Sequence, residues 1–359
     1  MAGGSGTRLW PASSSRMPKQ FLPATEKMSF FSLALERALA LAENVIIITG
    51  KAQIPHVIKD ASKFTAAEKK RIIVIGEHVA KNTAPAVACA AAYSLFNGTN
   101  RNMLVLTSDH IIKPIETFKA DAALAAAAAS EGKLVVFGIK PAHPETGYGY
   151  IETIPDNKKN NVLTVAAFHE KPNLQTAKKY AASKHFFWNS GMFAFSNNFI
   201  AEQFRTHAPD VYQYFEKLKQ PKPSDFTVSK GVKILSGWKG LESAYNKTKS
   251  ISFDYAIAEK CSKTAMISVS FDWIDIGNWD EYIKICEKND SQIFNIESDT
   301  CFVDSDIPVA LAGVDNLIVV IRGGKNGEPA LALITKKGQT QKVRDIVEKI
   351  KNSNNKELL

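Results

Sequence analysis

Short runs of aliphatic, β-branched residues recur along the first 140 positions, each separated from the next by a longer stretch with helical character. The runs are 45–49 (VIIIT), 72–75 (IIVI), 103–107 (MLVLT) and 134–138 (LVVFG). None alternates with polar residues, which is the pattern of strands buried on both faces. Before and between them, residues 29–41, 55–70, 85–95 and 115–130 read as helices. Strand and helix in strict alternation imply βαβ crossovers, hence an α/β fold on a mostly parallel sheet covered on both faces. Residues 147–154 and 162–169 flank the polar turn 156–161 and predict an inserted hairpin. Beyond about residue 289 the pattern changes to short strands at 301–303, 308–311, 317–321 and 330–334, followed by a helix over 341–352. The expected organisation is therefore a catalytic α/β domain over 1–288 and a small strand-rich module over 289–359.

Composition excludes several classes. The 359 residues hold 45% hydrophobic and 23% charged side chains, in the range of a folded globular chain. The longest apolar segment, 122–129, is far below the roughly 18–20 residues of a bilayer span, so no membrane association is expected. No basic n-region followed by an apolar core opens the chain. The four cysteines, Cys89, Cys261, Cys286 and Cys301, form no CxxC pair, which argues against a structural zinc site and suits a reducing cytoplasm. The net charge of +9 is uneven: from residue 321 onward nine Lys and Arg face four Asp and Glu. A lysine-rich terminal helix without RNP, KH or helix-turn-helix patterning reads as a solvated face, and no nucleic-acid partner is expected.

Ala2-Gly3-Gly4-Ser5-Gly6-Thr7-Arg8-Leu9-Trp10-Pro11 packs three glycines ahead of an arginine, and Lys19 follows. Glycines let backbone N–H groups approach a phosphate chain, and Arg8 and Lys19 add positive charge suited to a triphosphate or its pyrophosphate product. The loop is neither GxxxxGK[ST] nor GxGxxG, which disfavours P-loop and dinucleotide-binding readings.

The run GGSGTRLWP followed by Pro18-Lys19-Gln20-Phe21 resembles the signature of sugar-1-phosphate nucleotidyltransferases, in the form most similar to mannose-1-phosphate guanylyltransferases. Further motifs of that family follow in order: Asn82-Thr83-Ala84-Pro85-Ala86, Ser108-Asp109-His110, Pro144-Glu145-Thr146-Gly147-Tyr148-Gly149-Tyr150-Ile151, Glu170-Lys171-Pro172, Trp188-Asn189-Ser190-Gly191-Met192-Phe193 and Asp272-Trp273-Ile274-Asp275-Ile276-Gly277. The resemblance covers roughly residues 2–285. It implies a Rossmann-like sheet of the nucleotide-diphospho-sugar transferase type. The implied activity is Mg2+-dependent transfer of GMP from GTP to mannose 1-phosphate. Another hexose 1-phosphate or nucleotide, or a catalytically silent regulatory homologue, are the alternatives.

Asp109 follows the predicted strand 103–107, and Asp275 follows the run 267–271, so both stand where open α/β sheets gather their chemistry. By itself an Asp after a strand serves equally as a helix cap. The resemblance assigns Asp109 and Asp275 to Mg2+, with Asp272 a competitor in the same motif. His110 reads as positional, because a sugar phosphate is already an ionised nucleophile. The resemblance places the nucleotide on Gly3, Gly4 and Gly6 together with Asn82 and Thr83; Thr83 also reads as the cap of the helix that follows. Gly147 and Gly149 offer close backbone approach to sugar hydroxyls, Glu170 an acceptor for them and Asn189 both donor and acceptor. Lys171 is a partner for the sugar phosphate, and Pro172 predicts an extended backbone at it. Asp254 and Glu259, in a segment that also resembles the family, stay outside the catalytic set. The aromatic residues 186–188, 193 and 195 read as core.

Met1 directly precedes the loop, whereas a phosphate loop of this kind follows a strand of about 5–6 residues. The expectation is that Met1 is an internal methionine of a longer chain. The terminal module is similar to one that mediates subunit contact in the family, so a homo-oligomer is a possible assembly.

Overall fold

The computed structural model describes residues 1–4, 6–155, 161–286, 292–324 and 329–359. Most of the turn expected at 156–161 and the boundary expected at 288–289 lie outside the described residues. The chain divides into two compact units. The first comprises Met1–Gly3, Glu36–Thr107 and Ile112–Trp273; the second comprises Gly4–Leu35, Ser108–Ile111 and Ile274–Leu359.

In the first unit the strands Val45–Gly50 and Ile72–Glu77 pair in parallel, from Val45 opposite Ile72 to Gly50 opposite Glu77. Val232–Leu235 adds to the second of them in parallel, and Phe226–Ser229 closes this four-stranded sheet antiparallel. A six-stranded sheet runs in the order Asn102–Val105, Phe186–Ser196, Leu134–Ile139, Thr264–Ser268, Val162–His169 and Tyr150–Thr153. Leu134–Ile139 and Thr264–Ser268 are parallel, and the remaining neighbours are antiparallel. All six residues of Leu134–Ile139 are buried, as its unbroken apolar run requires. The expected hairpin is present, with Tyr150 opposite His169. The fold is thus mixed α/β.

Among the described residues, no strand joins Val45–Gly50 to Asn102–Val105. Met1 and Ala2 provide the backbone there: the Met1 amino group donates to the Leu106 carbonyl at 2.7 Å and the Ala2 N–H to the Ile48 carbonyl at 2.8 Å. The Thr49 hydroxyl donates to the Ala2 carbonyl at 2.8 Å.

The helix Thr83–Leu95 is rich in alanine and buried along most of its length, because small side chains let Asn197–His207 and Pro209–Glu216 approach closely. Phe204 and Tyr212 stack at 5.5 Å between centroids within this layer. The stretch expected as one helix over 55–70 is two, Ile54–Ala61 and Ala66–Lys69. Thr65 restarts the helix through a capping box with Glu68. Phe187, Trp188, Phe193 and Phe195 are buried, and Phe186 is half-buried at the margin of the core.

The second unit has its own core. Leu9, Trp10, Leu22 and Phe30 from its first segment pack with Ile276, Trp279, Tyr282, Ile318, Val320, Leu333, Val343 and Val347. The late strands form two parallel pairs, Ile293–Ile296 with Val309–Ala312 and Phe302–Ser305 with Leu317–Arg322. Leu331–Lys336 lies antiparallel to the last of these, and the helix Val343–Lys351 follows. The Trp10 indole donates to the Leu358 carbonyl at 2.8 Å, the Ser15 N–H to the Leu359 carbonyl at 2.6 Å, and the Trp279 indole to the Trp10 carbonyl at 3.1 Å. The tail and the segment bearing the glycine loop therefore share one core.

Candidate active site

The expected site residues fall into two sets. Gly4, Gly6, Arg8, Lys19, Asp109 and Asp275 belong to the second unit; Gly3, Asn82, Thr83, Gly147, Glu170, Lys171 and Asn189 belong to the first.

In the second unit the glycine loop folds onto Lys19. Gly6 has φ +61°, and a Cβ there would stand 2.1 Å from the Cβ of Lys19, so both conformation and space require glycine. The Ser13 hydroxyl donates to the Gly6 carbonyl at 2.6 Å and fixes the turn. Arg8 lies in the short turn Thr7–Leu9 with its side chain exposed. Lys19 opens the turn Lys19–Phe21 and is nearly enclosed. Its ammonium donates to the Ile276 carbonyl at 2.6 Å and to Asp109 Oδ2 at 2.8 Å, and stands 3.7 Å from Asp275 Oδ1. His110 Nε2 lies 3.8 Å from an oxygen of each aspartate. Burial opposes the charge on Lys19, but Asp109 and Asp275 outweigh it and raise its pKa. Burial likewise opposes ionisation of Asp109, yet Lys19 and His110 hold its carboxyl well below the usual carboxylate range.

Asp275 does not follow a strand over 267–271. The strand is Thr264–Ser268, and Asp275 is the last residue of a separate short strand, Asp272–Asp275. Asp272 at the other end is exposed. Asp109 and Asp275 thus direct hard oxygen ligands toward one cationic point while retaining partial exposure, which fits a magnesium ion that keeps several waters and takes one or two carboxylates. No group of three or more His, Cys, Asp and Glu arranged for a metal occurs among the described residues.

In the first unit Gly3 lies against Glu77, the last residue of its strand: a Cβ on Gly3 would stand 3.3 Å from Glu77 Oε2. Glu77 is buried, and burial pushes its carboxyl up to about 7. Glu77 carries no local signal in the sequence, being one acid that closes an apolar run. Asn82, at φ +71°, caps the helix Thr83–Leu95 by accepting from the Thr83 N–H at 2.8 Å. The cap is therefore Asn82 and not Thr83, whose hydroxyl instead accepts from the Phe253 N–H at 2.7 Å.

Gly147 is exposed, and its N–H donates to Glu145 Oε1 at 2.8 Å. Glu170 reaches Gly149 closely enough that a Cβ there would stand 2.7 Å from Glu170 Oε2. Lys171 pairs with Glu170 and has φ +43°, so its backbone is left-handed and not extended; the chain turns there between the strand Val162–His169 and the helix Leu174–Ala181. The Asn189 amide donates to Asp254 Oδ1 at 2.8 Å and accepts from the Gly191 N–H at 3.1 Å. Burial, and then the charge of Glu170, push the Asp254 carboxyl up to about 6. The same two causes raise Glu259. Structure thus adds Asp254, set aside on sequence, to the group formed by Gly149, Glu170, Lys171 and Asn189.

The family model of nucleotidyl transferases matches residues 1–292. The xanthan biosynthesis protein XanB of Xanthomonas campestris pv. campestris (strain B100) is 32% identical over 371 aligned positions, covering 99% of this chain and 73% of that protein. A mannose-1-phosphate guanylyltransferase of Salmonella montevideo is 34% identical, with 99% of this chain and 74% of that protein covered. A crystal structure described as mannose-1-phosphate geranyltransferase, from Thermus thermophilus, superposes with a TM-score of 0.81 at 29% identity, covering 98% of each chain. With the glycine loop, the lysine and its two aspartates in hand, and a family match over most of its length, the chain belongs to the nucleotidyl transferase family.

Proposed function

We propose that the protein transfers GMP from GTP to α-D-mannose 1-phosphate, forming GDP-mannose and pyrophosphate. The observation that carries this reading is the Lys19 ammonium between Asp109 and Asp275, next to a glycine loop built on φ-positive residues. Relatives that bear the name mannose-1-phosphate guanylyltransferase support the choice of sugar and base.

In the reaction a phosphate oxygen of mannose 1-phosphate forms a bond to the α-phosphorus of GTP. The bond from that phosphorus to the β-bridging oxygen breaks, and its electron pair leaves with pyrophosphate. The nucleophile is ionised at neutral pH, so His110 is not needed as a base. Catalysis then rests on placement and charge. Arg8 and Lys19 stabilise the departing pyrophosphate, and backbone groups of Gly3, Gly4 and Gly6 line the phosphates. Asn82 and Thr83 hold the nucleotide. Lys171 orients the sugar phosphate, while Gly147, Glu170 and Asn189 receive its hydroxyls. Mg2+, when bound by Asp109 and Asp275, supplies further neutralisation of the triphosphate.

The same reading assigns catalysis to residues 1–288 and subunit contact in a homo-oligomer to residues 289–359. It places the reaction in the cytoplasm, and no helix among the described residues is long and apolar enough to cross a membrane. The test is pyrophosphate release across a panel of nucleoside triphosphates and hexose 1-phosphates with Mg2+. Release greatest with GTP and mannose 1-phosphate is expected. Preference for another pair reassigns the substrate, and GTP binding without release on any sugar phosphate overturns the activity.

A further inference from the structure

Asn189 is held at three points. Its N–H donates to the Gly149 carbonyl at 2.8 Å, its side-chain oxygen accepts from the Gly191 N–H, and its side-chain amide donates to Asp254 Oδ1. Such an amide is fixed in orientation, and the carboxylate it steadies is fixed with it. Asp254 is anchored from behind as well. Phe253 is fully buried, with its ring 4.7 Å from that of Phe193 and 6.0 Å from that of Phe204, and its N–H is taken by the Thr83 hydroxyl. Asp254 itself opens a π-helical turn, Asp254–Ala258, a local geometry frequent at functional sites.

The surroundings decide what such a carboxylate can take. Glu170 lies against Gly149, whose carbonyl takes the Asn189 N–H, and so stands beside Asp254; Lys171, which pairs with Glu170, is the cation next to them. Two carboxyl groups so placed repel a phosphate and attract neutral donors, and the donors of a hexose 1-phosphate are its ring hydroxyls. We propose that Asp254 accepts hydrogen bonds from hydroxyls of the sugar phosphate and thereby determines which hexose is used, with Asn189 as its positioning residue. This rests on the reading above that a hexose 1-phosphate is the acceptor substrate. Epimers differ in the direction of one hydroxyl, and a site built to bond a hydroxyl discriminates strongly against a substrate that cannot supply it.

The test compares wild type with Asp254→Asn in steady-state pyrophosphate release, using mannose 1-phosphate and its C2 epimer glucose 1-phosphate. A hydrogen bond to a charged group corresponds to about ten- to a hundredfold in affinity. The KM for mannose 1-phosphate should rise by that factor, the KM for GTP should stay within about twofold, and the kcat/KM ratio between the epimers should collapse. An unchanged mannose 1-phosphate KM and epimer ratio overturns the proposal. So does an equal rise in both substrate KM values, the mark of a merely structural role, or a rise in half-saturating Mg2+ with the sugar KM unmoved. Should Asp254→Asn fail to fold, Asp254→Ser carries the same measurement. Absence of pyrophosphate release from wild type with every hexose 1-phosphate defeats the activity itself; release from wild type matched by the variant defeats only the role of Asp254.

Discussion

Lys19 Nζ stands 2.8 Å from Asp109 Oδ2, across ninety positions of sequence, and the same ammonium lies 3.7 Å from Asp275 Oδ1. The lysine is thus part of a charge cluster and not a free cation projecting from the loop. Its positive charge and the two negative ones depend on one another.

Lys19→Ala should leave the protein folded and lower turnover by about a hundredfold or more, the scale on which removal of one preorganised electrostatic contact acts. The variant leaves Asp109 and Asp275 without their shared cation. Pyrophosphate release together with a thermal melt checks both halves of the expectation; turnover near that of wild type removes Lys19 from the catalytic set.

Asp109→Asn and Asp275→Asn should each raise the half-saturating Mg2+ concentration by about tenfold or more, since magnesium relies on very few carboxylates. Asp272→Asn, altering an exposed residue at the far end of the same short strand, should leave it within about twofold. A magnesium titration of the three variants assigns the motif's carboxylate. The reverse ranking would give the role to Asp272.

Glu77 supplies a pH-dependent prediction. Burial raises its pKa to about 7, partly offset by Tyr245 and the Met1 amino group. The unfolded carboxyl ionises near 4.3, so across that interval the folded state binds the extra proton and stability falls as pH rises. The full loss is on the order of 3 kcal/mol and is complete above about pH 7. Glu77→Gln removes the titration, so its melting temperature relative to wild type should be higher at pH 8 than at pH 5. The same difference at both pH values would show that Glu77 ionises normally in the folded protein.

Legibility in the sequence followed the kind of force at work. The strands Val45–Gly50, Ile72–Glu77 and Leu134–Ile139 announce themselves because burial on both faces leaves no polar residue in the run. His110–Lys113 and Ile293–Ile296 do not: each has four residues, one ends in an exposed lysine and the other exposes Phe294 and Ile296. The loop, lysine and aspartate motifs and their convergence on one metal and one pyrophosphate were readable as a resemblance, but the direct pairing of Lys19 with the aspartates was not. The contact of Lys19 with Asp109 and that of Asn189 with Asp254 are made by tertiary structure across long stretches of chain. Local rules also misled where the backbone left the common regions. Lys171 before Pro172 and Asn82 before its helix both have positive φ, against what neighbouring residues alone would dictate.

The bonds from Trp10 to the Leu358 carbonyl and from Ser15 to the Leu359 carbonyl have a consequence in time. The segment that carries Arg8 and Lys19 leaves the ribosome some 340 positions ahead of the residues that pin it. At about 5–20 residues per second that is a delay of roughly 20–70 seconds. During that interval the glycine-loop segment has no finished core to rest on, so its ordering waits for the distant residues that complete that core.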